Sequence, residues 1–195
     1  MTADALPDAI RRRNRFTLIA IVLLFLGTML VAGVMRFADI HPAATRQKGE
    51  LLNPYTDLRD VHLRTLDGTP YEWAPIHRTW RIVAAAPNVC DDACARRAHD
   101  IGVVWEILNK DASRVDVLWW CPTAAGCSWP RGLAAPSTLH VVAADPARQR
   151  LPRVDVPGGV PVYLVDPNGF VVLRYAPGAD LGDLRADLVR LLKLQ

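Results

Sequence analysis

Two cysteines, Cys90 and Cys94, are separated by Asp91-Asp92-Ala93. On a helix, positions i and i+4 share one face, with Cα atoms about 6 Å apart. That separation admits a disulfide or a shared soft metal ion such as Cu(I). A helix N-terminus favours the thiolate that either chemistry needs. Asp91 and Asp92 oppose it, because neighbouring negative charge raises a thiol pKa. The pattern therefore predicts only moderate activation. In thiol exchange, Cys90, standing before the helix, would attack, and Cys94 would resolve the mixed disulfide. A plain structural disulfide is the simpler reading of the same spacing.

A second pair, Cys121 and Cys127, brackets Pro122-Thr123-Ala124-Ala125-Gly126, a loop composition. A structural disulfide closing this loop is the default. A resolving pair for Cys90 and Cys94, or extra copper ligands, are the alternatives, and three pairings of the four cysteines remain open. His99 lies five residues beyond Cys94 on the same predicted helix and points mostly to another face. His77 and His140 cannot be placed from sequence; surface or core-capping roles are expected for all three. A nucleophile-elbow motif, a zinc-binding His pair and a phosphate-binding glycine loop are absent from the sequence, which argues against a hydrolase.

Elements must hold these residues in place. Residues 80–86 form a short apolar run stopped by Pro87-Asn88, consistent with a buried strand leading into Cys90. Residues 91–109 carry Ala98, Ile101, Val104, Trp105 and Leu108 at three- and four-residue spacing, which predicts a helix. Residues 114–120, 139–144 and 160–165 read as strands. Asp166-Pro167-Asn168-Gly169 turns the chain back into an antiparallel strand over 170–175. Residues 61–66 alternate and meet Asp67-Gly68, a strand entering a hairpin. Residues 181–194 form an amphipathic helix. The order implies an α/β layer, a mixed central sheet flanked by helices. Trp73, Trp119, Trp120 and Trp129 are expected to fill core and loops, with an exposed docking cluster as the alternative.

The chain has 195 residues, 51% hydrophobic and 22% charged, with a net charge of +3 and a mean hydropathy of +0.10. The charge is too weak to argue for nucleic acid. The apolar excess sits in residues 16–35, which hold no charged residue and would span roughly 30 Å as a helix, the thickness of a bilayer core. Arg11, Arg12, Arg13 and Arg15 precede it, so the positive-inside rule places the N-terminus in the cytoplasm. The run is longer than a signal-peptide core, and Val31-Ala32-Gly33 is a poor cleavage context. The expected organisation is a cytoplasmic tail (1–15), a transmembrane helix (16–35), a juxtamembrane linker (36–60) and a periplasmic domain (61–195). In that compartment disulfides form and persist.

The strand, Cys90-x-x-x-Cys94 and helix resemble the thioredoxin superfamily, and in particular the membrane-anchored Sco/SenC proteins of cytochrome oxidase assembly. The short N-terminal anchor and Val162-Tyr163-Leu164-Val165-Asp166-Pro167-Asn168-Gly169, similar to a Sco hairpin motif, carry the same resemblance. It covers about residues 60–195 in element order. It implies a thioredoxin-like fold and a copper or thiol role for Cys90 and Cys94. Sco proteins also place a copper-ligating His in the loop before that Tyr. Here Val156-Pro157-Gly158-Gly159-Val160-Pro161 holds none, which puts Sco-type copper transfer in doubt. Its Gly-Val-Pro resembles the cis-proline loop of thioredoxins, so Pro161 is expected to shape a loop facing the cysteines, with a cis or a trans bond. Lys48-Gly49-Glu50-Leu51-Leu52-Asn53-Pro54 is similar to a segment of small membrane-anchored thioredoxin-like proteins associated with bacterial oxidase assembly.

These readings lead to an accessory factor for respiratory cytochrome c oxidase assembly. It would act by thiol–disulfide exchange or Cu(I) handling at Cys90 and Cys94, with oxidase subunits or their copper and thiol assembly factors as partners. A general membrane-tethered thiol–disulfide oxidoreductase and a non-catalytic membrane-bound scaffold are the alternatives.

Overall fold

The computed structural model describes residues 8–38, 47–143 and 146–193. Residues 1–7 of the expected tail, 39–46 of the expected linker, and the last residues of the expected 139–144 strand and 181–194 helix lie outside them. The chain divides into two units, residues 1–46 and 47–195.

The first unit contains α1 (Asp8–Phe37). Its stretch Ile10–Phe37 is long and apolar enough to cross a membrane, and none of it is buried in protein. The helix extends beyond the expected residues 16–35 because the arginines before that run are good helix formers.

The second unit is built on a six-stranded sheet. Its strands are β1 (Glu50–Asp57), β4 (Trp80–Ala84), β5 (Val115–Cys121), β6 (Leu139–Ala143), β7 (Val162–Val165) and β8 (Phe170–Tyr175). Their spatial order is β1-β8-β7-β4-β5-β6. β4, β5 and β6 run parallel, whereas β7 is antiparallel to β4 and β8 antiparallel to β7. Every residue of β4 is buried, as expected of a central strand covered on both faces.

Alternation sorts the side chains. Ile82, Ala84, Val117, Trp119 and Leu164 face α2 (Asp92–Ile107) and α3 (Leu181–Leu192). Val83, Leu118, Trp120 and Tyr163 face a second core with Leu58, Leu63, Tyr71 and Trp73. That face carries the hairpin of β2 (Leu63–Arg64) and β3 (Pro70–Tyr71), closed through Asp67-Gly68 as the sequence predicts. The tryptophans are mostly core residues: Trp119 and Trp120 are fully buried, and Trp129 packs edge-on against Trp119 at 4.9 Å.

The linker expected over residues 36–60 is corrected by β1, which pairs antiparallel with β8. Pro54 inside the run disguises it, because proline is compatible only with an edge strand or a bulge. β1 is an edge strand, its register slips between Leu51 and Thr56, and only Leu52 is buried. The start of β1 is fastened by Asp187 of α3, which is buried. Its carboxylate accepts hydrogen bonds from the Lys48 and Gly49 backbone N–H groups and the Tyr175 hydroxyl, at 2.8–3.0 Å. Gly49 is obligatory there, because a Cβ would stand 2.6 Å from the Tyr175 ring.

Candidate functional site

β4 delivers the chain to the site. Beyond Ala84, the Ala85 N–H donates to the Pro161 carbonyl at 3.1 Å, and the buried Arg148 guanidinium donates to the Ala85 carbonyl at 3.3 Å. Pro87-Asn88-Val89 then leaves the sheet and reaches Cys90. Asp91 is the N-cap of α2; its Oδ1 accepts from the Cys94 N–H at 2.8 Å. A side-chain oxygen at this position satisfies an N–H that the helix leaves unpaired. The cap aims the first turn so that Cys90 and Cys94 meet in a disulfide with Cα atoms 5.2 Å apart. Cys94 is 1% exposed and belongs to the core beneath α2. Cys90 is only partly buried. This asymmetry suits an accessible first thiol and a protected second one.

Cys121 and Cys127 form the second disulfide, with Cα atoms 5.8 Å apart. Both are buried. β5 runs parallel to β4, so this loop opens at the same end of the sheet, and the two loops touch. Asn88 Nδ2 donates to Thr123 Oγ1 at 2.9 Å, and the Thr123 N–H donates to Asn88 Oδ1 at 3.1 Å. Gly126 has a φ of +77°, and a Cβ there would meet the Asn88 carbonyl at 3.1 Å. The pairing matches the default expected from sequence; the Asn88–Thr123 tie does not show in the sequence, since neither residue lies in a recognisable motif.

Pro161 sits opposite the end of β4, and Val160 packs into the core under α2. The cis form left open for the Val160–Pro161 bond does not occur: the cis bond among the described residues is Asn53–Pro54. Trans is the intrinsic preference of an X–Pro bond, and in it the Pro161 carbonyl prolongs the β4–β7 ladder to Ala85.

His77, His99 and His140 stay apart from the cysteines. His140 pairs in register with Leu118, on the sheet face opposite α2. Its ring packs tilted against Tyr71 at 5.0 Å and lies 4.0 Å from Asp116. His99 is exposed beside Asp100 at 3.6 Å. His77 lies in a 3-10 turn before β4, at the other end of that strand. Among the described residues no group of three or more His, Cys, Asp or Glu side chains could hold a metal ion. Two thiolates, obtained by reducing the disulfide, are the donors the site itself can offer a soft cation.

The turn of residues 166–169 also lies away from the cysteines. Asp166 Oδ1 accepts from the Asn168 and Phe170 N–H groups. The buried Arg81, at the start of β4, donates to the Asp166 and Pro167 carbonyls and to the Tyr71 hydroxyl. This motif is structural.

A strand leading into a cysteine pair on the first turn of a helix, over a mixed sheet, defines a thioredoxin-like protein. The chain belongs to the transmembrane-like, thioredoxin-like family (C-terminal domain), whose model matches residues 80–195. No curated protein matches the sequence. Among solved structures, yeast Sco1 with copper bound is similar with a TM-score of 0.56 at 17% identity, over 68% of this chain and 89% of its own. Apo Sco1 from Thermus thermophilus gives 0.54 at 18%, over 77% and 99%. BsSco gives 0.54 at 13%, over 75% and 98%; it is described as a member of the Sco family of cytochrome c oxidase assembly proteins with a disulfide switch. At these identities the likeness is one of fold.

Proposed function

We propose that the protein is a membrane-tethered accessory factor of respiratory cytochrome c oxidase assembly that works by thiol–disulfide exchange at Cys90 and Cys94. The observation that carries the chemistry is the asymmetry of the pair, a partly exposed Cys90 joined to a buried Cys94 on a capped helix. The oxidase link rests on the Sco neighbours and on their shared fold. α1 is the anchor, with Arg11, Arg12, Arg13 and Arg15 on the cytoplasmic side and the disulfide-bearing domain in the periplasm.

In the reaction, a dithiol donor first reduces Cys90–Cys94. The Cys90 thiolate attacks one sulfur of a partner disulfide. The partner S–S bond breaks, a Cys90–partner disulfide forms, and the departing partner thiolate takes up a proton. Cys94, deprotonated, attacks the Cys90 sulfur, restores the Cys90–Cys94 bond and releases the second partner thiol. Two electrons pass from the protein to the partner. Pro161 holds the loop that faces this exchange.

A second reading treats Cu(I) as cargo held between the two reduced thiolates; the copper-bound yeast Sco1 of the same fold favours it. Purified full-length protein in detergent separates the two. Exchange expects a defined Cys90–Cys94 reduction potential and no stoichiometric Cu(I) binding by the reduced protein. Stoichiometric Cu(I) binding that disappears in Cys90→Ser would replace exchange by the copper reading.

A further inference from the structure

A groove of about 250 Å3 opens beside the cysteine loop, between Ala93, Arg96, Arg97 and Asp100 of α2 and the loops at 158–160 and 178–179. Ala93, which lines the groove, stands between the two cysteines in the chain. Arg97 is 7% exposed, yet the hydrogen bond it donates is to the Ala179 carbonyl, at 2.8 Å. Arg96 is exposed. Neither arginine forms an ion pair among the described residues; Asp100 acts on Arg97 only through longer-range attraction. Burial pushes the Arg97 pKa down.

A buried guanidinium without a carboxylate partner is unusual, since buried charges are ordinarily paired. Arg97 lines the groove together with Arg96. Gly158, Gly159 and Gly178 put no side chain over that space. Asp100, beside His99, lines the groove as well, so its lining carries two positive charges against one negative, with the exposed Asp91 and Asp92 before Ala93 in the chain.

We propose that this groove receives a carboxylate side chain of the partner segment engaged at Cys90, so that the protein selects acidic peptide segments around its target cysteine. The proposal rests on the exchange reading. Arg97 supplies a guanidinium held in place by the Ala179 carbonyl, and Arg96 supplies long-range attraction.

The test uses full-length Cys94→Ser protein and two peptides. Each has a single cysteine capped as a disulfide with thionitrobenzoate, flanked by glutamates in one and by lysines in the other. The Cys90 thiolate attacks the peptide sulfur, the bond to the cap breaks, a Cys90–peptide disulfide forms, and the thionitrobenzoate anion leaves and is read by its colour. At low salt the glutamate peptide is expected to react about tenfold faster. That preference should shrink toward unity in Arg96→Ser and in Arg97→Gln. Equal rates for both peptides overturn the groove and leave the exchange reading standing.

If neither peptide reacts, exchange itself fails, and the groove is judged by binding alone. A cysteine-free glutamate peptide is then titrated into the oxidised full-length protein, with the Gly158 and Gly159 amide signals as readout. Shifts that exceed those from the lysine peptide and from equimolar glutarate support the proposal. Absence of shifts overturns it, as does an equal response to free glutarate.

Discussion

At the residue scale, Cys90 and Cys94 differ in exposure, and the proposed exchange divides the labour between them accordingly. Cys94→Ser is expected to accumulate a mixed disulfide between Cys90 and its partner, visible as a band lost on reduction, whereas Cys90→Ser should give none. The sequence shows both cysteines and their place between strand and helix, because spacing and the preceding strand are local features. It conceals Asn88, whose reciprocal hydrogen bonds with Thr123 join residues far apart in the chain. Asn88→Ala is expected to cost about 1 kcal/mol in urea denaturation of the oxidised protein. Thr123→Ala should cost less, since its backbone N–H persists, and the double variant should fall short of the sum of the two. Strict additivity would mean that the two loops are not coupled through this pair.

At the element scale, the central strands, α2 and α3 are legible because periodicity and burial agree. β4 is buried throughout and apolar but for Arg81, and α3 repeats leucines at Leu181, Leu184, Leu188 and Leu192. β1 is not legible, since its strand signal is interrupted by Pro54 and its pairing with β8 is long-range. The trans geometry of Pro161 is equally hidden, because nothing local to Gly-Val-Pro reports the ladder bond to Ala85. What holds β1 is Asp187, a polar residue on the buried face of an otherwise leucine-lined helix. Asp187→Asn removes charge-assisted acceptance from two backbone N–H groups and is expected to destabilise by about 1–3 kcal/mol. Hydrogen exchange at the β1 amides checks it: protection should fall there first, and unchanged protection would remove Asp187 from this role. At the other helix, Asp91→Ala should cost about 1 kcal/mol through loss of the cap.

At the scale of the whole molecule, several carboxylates are held down by arginines. Arg59 brings Asp57 from 3.8 to about 2. Arg153 chiefly, with Arg174, lowers Glu50 from 4.5, and Arg148 lowers Asp155. A carboxyl whose folded pKa is depressed stabilises the fold above its unfolded value and loses that contribution as pH falls through the folded one. The melting temperature is therefore expected to fall as pH drops from about 4.5 toward 2. A flat profile across that window would show these pairs to be without consequence for stability.

The same arginine-rich domain is tied through the chain to α1, so the proposed exchange chemistry would act near membrane partners. The most direct test of that role is the cytochrome c oxidase content and activity of cells whose only copy of the protein is Cys90→Ser, compared with wild type at equal protein level. A marked loss of assembled oxidase is the expected result. Undiminished oxidase, with the variant present in the membrane at the wild-type amount, would contradict the account.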